Sequence, residues 1–109
     1  MACTDNQVNV VVILDNYPEE TAWSIKNTSG ETVATGDYST ANPDGSIVVE
    51  TLCLPDGCYD FIITDSYGDG ICCTYGFGAY GIISNNNLLA FGGVFGSVDT
   101  ANFCIGEIV

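Results

Sequence analysis

Two short acidic segments hold most of the chemistry available to this sequence. Asp15-Asn16-Tyr17-Pro18-Glu19-Glu20 follows the apolar run Val11-Val12-Ile13-Leu14, and Asp65-Ser66-Tyr67-Gly68-Asp69-Gly70 follows Phe61-Ile62-Ile63-Thr64. Each reads Asp, two residues, Pro or Gly, then an acid. Carboxylates and free carbonyls on a tight turn are the hard oxygen ligands that Ca²⁺ prefers. Asp15, Glu20, Asp65 and Asp69 are therefore the expected carboxylate ligands of a calcium ion, with the backbone carbonyl of Tyr67 beside them. The second segment shares with an EF-hand loop its acids at positions one and five and its Gly at six. It has Tyr67 at position three and Gly76 at position twelve, so it is not an EF-hand.

Other chemistry is excluded by what the chain lacks. It has no histidine, so Ser/His and Cys/His dyads cannot be assembled within it. A pair of carboxylates can hydrolyse a glycosidic bond, but these acids sit in turn-rich loops of a chain too short to wall a deep cleft. No enzymatic activity is expected. Fourteen acids face one basic residue, Lys26, for a formal net charge of −13. That balance argues against nucleic acid and anionic membrane as partners, because nothing is available to neutralise phosphate. No apolar run reaches membrane-spanning length, so membrane insertion is not expected.

Six cysteines in 109 residues point to disulfides and an oxidising compartment, outside the cell. Cys3, Cys53, Cys58, Cys72, Cys73 and Cys104 are all expected to be oxidised, with the pairing left open. Cys72 and Cys73 are adjacent and their side chains point differently, so separate partners are expected for them, Cys58 being one. Zinc is disfavoured because no Cys-x-x-Cys pair and no histidine completes a site. Met1-Ala2-Cys3-Thr4-Asp5 has neither the basic start nor the apolar stretch of a secretory signal, which suggests a piece of a longer secreted protein.

The elements that must position these residues are strands. Helical periodicity is absent, and short β-branched and aromatic runs are broken by Gly, Asn, Pro and Asp every ten residues or so. The expected fold is all-β: a single disulfide-linked domain over residues 1–109, a jelly-roll-type β-sandwich of about eight strands. Strands are expected over 8–14, 21–26, 31–35, 46–52, 58–64, 79–83, 88–91 and 100–105. Asn27-Thr28-Ser29-Gly30 and Asn85-Asn86-Asn87 read as hairpin turns, and Asp44 and Asp56, each between Pro and Gly, as turn formers. Val10, Val12, Trp23, Ile25 and Ile62 are expected to point inward. The repeated strand and loop suggests a quasi-symmetric molecule with both acidic loops at one end, sharing one cation.

Just after the second acidic loop, Tyr75 and Phe77 stand between glycines. Flat rings on a pinned loop suit stacking against sugars or anchoring a contact, with Tyr17 as a third member; equally, the rings would cover the sandwich edge. Cys53-Leu54-Pro55-Asp56-Gly57-Cys58-Tyr59, then Asp65 to Cys73 and Tyr75-Gly76-x-Gly78-x-Tyr80, resemble a recurrent non-catalytic domain of secreted multidomain proteins of bacteria and microscopic algae. Those proteins include proteases and polysaccharide-degrading enzymes. Asp15 to Trp23, Phe91-Gly92-Gly93 and Asp99-Thr100 fit the same pattern, so the resemblance spans nearly the whole chain. It implies an appended extracellular β-sandwich stabilised by calcium. The expected function is a secreted module that binds polysaccharide for a larger protein. The alternative is a self-associating subunit of an extracellular filament or surface coat, whose apolar strands are buried between copies.

Overall fold

Val8, Val10 and Val12 are fully buried and alternate with partly exposed neighbours along the first strand, the period-two pattern of a strand with one face in a core. The same alternation recurs in a computed structural model of the chain, which describes residues 5–66, 68, 71–73 and 76–106, without the side chains of 72, 73, 76 and 77. Its strands are β1 (Asn6–Ile13), β2 (Thr21–Asn27), β3 (Thr32–Asp37), β4 (Ile47–Leu54), β5 (Gly57–Asp65), β6 (Cys72–Cys73), β7 (Gly76–Phe77), β8 (Ala79–Ser84), β9 (Asn87–Gly92) and β10 (Val98–Ile105). Each expected strand is present, and the two-residue pair β6-β7 was not anticipated. Among the described residues no helix is long and apolar enough to cross a membrane.

Two antiparallel four-stranded sheets, ordered β4-β1-β8-β9 and β10-β5-β2-β3, enclose the core. The all-β sandwich is as expected; a jelly-roll path is not confirmed. The order instead describes two halves. β1, β2, β3 and β4 of the first correspond to β5, β8, β9 and β10 of the second, and each sheet takes the first and fourth strands of one half with the second and third of the other. Neither half can bury its apolar strands alone, so the duplication acts at the level of the core.

The hairpins use the turn chemistry of their sequences. Asn85 and Asn86 both have positive φ, at 52° and 64°, as the tight β8-β9 turn requires, and the Asn27 carboxamide accepts from the N–H groups of Ser29 and Glu31 in the β2-β3 turn. Trp23, Phe61 and Tyr80 form the aromatic centre, with Phe61 5.7 Å from Trp23 and 5.0 Å from Tyr80 between ring centroids. Gly36 passes directly under Trp23: a Cβ there would lie 2.4 Å from the indole nitrogen. The indole N–H donates to the Tyr38 hydroxyl at 3.0 Å. Gly36→Ala should therefore push the ring aside and cost roughly 1–3 kcal/mol, read as a lower urea midpoint and a red-shifted emission from the chain's one tryptophan.

Two expectations are corrected. Ile62 is not inward; Phe61 and Ile63 are the buried residues of β5. Cys58 pairs with Cys104, its direct partner across β5 and β10, and not with Cys72 or Cys73. The reason is position: Cys58 lies at the opposite end of β5 from the acidic loop. Cys53 is also disulfide-bonded, whereas Cys3 and the side chains of Cys72 and Cys73 lie outside the described residues.

Candidate functional site

The antiparallel order sends β1 and β5 to the same end of the sandwich, and the loops that follow them meet there. Ser66 N–H donates to the Glu20 carbonyl at 2.9 Å, joining the second acidic loop to the first. Asp65 is opposite Thr21 in the β2-β5 ladder. In the first loop, Tyr17 N–H donates to Asp15 Oδ1 at 2.9 Å, and the 3-10 turn Pro18–Glu20 carries the chain to β2. Proline pre-sets the backbone angle at the start of that turn.

The halves are not equivalent residue for residue at this end. Leu14 N–H donates to Ser46 O, and Asp65 N–H donates to Ser97 O, both at 2.9 Å. Ser46 and Ser97 each precede the fourth strand of their half, so Asp65 occupies the place that Leu14 holds in the other half. Asp15, the sequence match of Asp65, corresponds in space to Ser66. One half thus closes its end with a leucine and the other with a carboxylate, and the polar site is single.

That site is buried. Asp15 is 3 % exposed, Asp65 2 % and Thr21 1 %. The hydroxyls of Thr21 and Ser46 are buried without a hydrogen-bond partner, a costly state for a polar atom. Burial raises the Asp15 carboxyl above the usual carboxylate range; the charges of Asp65 and Glu19 push the same way, against the Tyr17 N–H bond that favours ionisation. Lys26, the chain's one basic residue, lies at the other end of β2 and offers no counter-charge.

The structure therefore brings the carboxyls of Asp15 and Asp65 to one junction, which Glu20 joins through its backbone carbonyl, with Tyr17 exposed at the rim. Tyr67, Asp69 and Tyr75 lie outside the described residues, as does the side chain of Phe77. Among the described residues no group of three His, Cys, Asp or Glu side chains is close enough to hold a metal. Sequence reading missed the Thr21 and Ser46 hydroxyls; the signal available was a hydroxyl residue at each strand start bordering an acidic or turn segment. A further buried polar contact joins the sheets, the Tyr80 hydroxyl donating to Asp99 Oδ2 at 2.6 Å. Burial, with that bond to an acceptor, raises the Tyr80 hydroxyl far above its ordinary value. Compared with known proteins, the chain matches no family model, no curated protein and no solved structure.

Proposed function

We propose that the chain is a secreted, non-catalytic module that binds one Ca²⁺ where its acidic loops meet, and that holds polysaccharide for a larger extracellular protein. The observation that carries this reading is the burial of Asp15 and Asp65 at a single junction without a basic residue nearby. Two carboxylates taken out of water repel each other and lose hydration, and a divalent cation is the partner that offsets both. Asp15, Glu20, Asp65 and Asp69 with the Tyr67 carbonyl are the proposed ligands, and the Thr21 hydroxyl supplies a further oxygen. The Cys58–Cys104 bond supports an oxidising compartment.

Polysaccharide would lie against Tyr17, Tyr75 and Phe77, beside a loop that calcium holds rigid before the ligand arrives, which lowers the ordering cost of binding. Neutral or cationic chains are favoured, because a net charge of −13 repels sulfated and uronic ones. In a calcium-loaded pull-down on insoluble glucans, chitin and chitosan, at least one is expected to retain the domain. Tyr75→Ala and Phe77→Ala should each reduce retention about tenfold. Retention by none of them, or retention indifferent to both substitutions, rejects this assignment.

A further inference from the structure

We propose that the outer face of the β4-β1-β8-β9 sheet is a self-association surface through which two copies of this chain pair face to face. An outer sheet face in a water-bathed sandwich is ordinarily polar. Here Val11 and Ile13 of β1 lie between Val49 and Ile47 of β4 on one side and Gly81 and Ala79 of β8 on the other. Ile47 is 65 % exposed, Val49 54 % and Phe91 74 %. The four strands contain one charged residue, Glu50, and it is opposite the core residue Val10, so it belongs to the inner side. Among the described residues, these strands thus put no charge on the outer face, in a chain with fourteen acids. By contrast, the other sheet exposes Asp37 and Asp60.

A second copy is the occupant that fits. Two bodies of charge −13 repel wherever their acids approach, and this face is where they can meet with no carboxylate between them. A basic partner would choose the acids instead. A glycan would find a single aromatic ring, that of Phe91. The face also carries a shallow apolar groove of about 250 Å³, lined by Val11, Ile13, Ala79 and Leu88 and bordered by the exposed Phe91, relief that a two-fold related copy can interlock with. Two strands of eight residues and two of six cover roughly 450 Å², below the roughly 800 Å² per partner of a stable dimer, so the association is weak and depends on concentration. Glu50 on the edge strand β4 opposes the alternative, strand-to-strand addition.

The proposal is independent of calcium and of glycan, and sedimentation equilibrium on the oxidised domain tests it. From about 1 µM to about 1 mM a reversible monomer–dimer equilibrium is expected. Raising NaCl from about 0.05 to about 0.5 M should tighten it at least about threefold, since salt screens the repulsion and leaves apolar contact intact. Val49→Glu and Phe91→Ser should each weaken it at least about tenfold, at exposed positions where thermal stability changes little, while Thr100→Glu on the other sheet leaves it unchanged. A monomer throughout, a dimer loosened by salt, or a dimer as sensitive to Thr100→Glu as to Val49→Glu would overturn it. So would a strictly monomeric protein that binds glycan through Phe91.

Discussion

In protein stripped of calcium Asp15→Asn should raise the melting temperature, and in protein saturated with calcium the same substitution should lower it. Asparagine keeps an acceptor for the Tyr17 N–H, which donates to Asp15 Oδ1 at 2.9 Å, and removes the buried charge. Without the cation that charge is a liability. The carboxyl is raised by burial and by Asp65 and Glu19, so protons favour the folded state. Stability of the apo protein should increase as pH falls from neutrality toward the ordinary carboxylate range, level off below it, and be lost as pH rises through the folded value. Asp15→Asn should flatten that rise. With calcium the ionised form is the useful one, and acid should destabilise by displacing the ion. At a hundredfold excess over Kd the cation adds about 2.7 kcal/mol, which is roughly 10–20 °C in a domain of this size. Calorimetry on both forms with and without EDTA decides it. An Asp15→Asn effect of the same sign in both states would reject a cation at this junction.

How much of this was legible in the sequence depends on the residue. Strand positions were readable because β-branched runs and Asn, Gly and Pro punctuation coincide, as at Asn85-Asn86 between β8 and β9. Val10, Val12, Trp23 and Ile25 were read as inward by simple alternation and are buried. The same alternation expects Ile62 inward and it is not buried, for a physical reason. The acidic motifs align Asp15 with Asp65 and so Val12 with Ile62, but β1 leaves its sheet after Ile13 while β5 runs on through Asp65. The loops match in sequence with the strands one residue out of step, and a one-residue step exchanges the faces of a strand. The meeting of the two acidic loops, with Asp15 and Asp65 buried at one junction, followed from reading the repeat as a symmetry. The single character of the site did not, because it depends on a leucine in one half standing where a carboxylate stands in the other. The charge-free sheet face was hidden as well. Glu50 interrupts the apolar run of β4, and only the register shows that it belongs to the opposite side.

Replacing both Cys58 and Cys104 with alanine should cost about 2–4 kcal/mol and lower the melting temperature by roughly 10–30 °C. The bond joins residues 46 apart that are already partners across β5 and β10. Its loss therefore leaves the native ladder in place and frees the unfolded chain, which gains the entropy of an open loop. Both cysteines must be changed, because one left alone is a thiol on the surface of the sheet that can join two molecules. The bond lies at the end of β5 opposite Asp65, so its contribution and that of calcium should be independent and add, as for distant sites without shared partners. The double-cysteine variant should therefore keep the full thermal shift on adding calcium. Loss of that shift would mean that the disulfide end and the acidic end fold as one tightly coupled unit. A variant as stable as the parent would mean that the ladder between β5 and β10 holds in the unfolded ensemble too, and the entropic account of this bond would then be wrong.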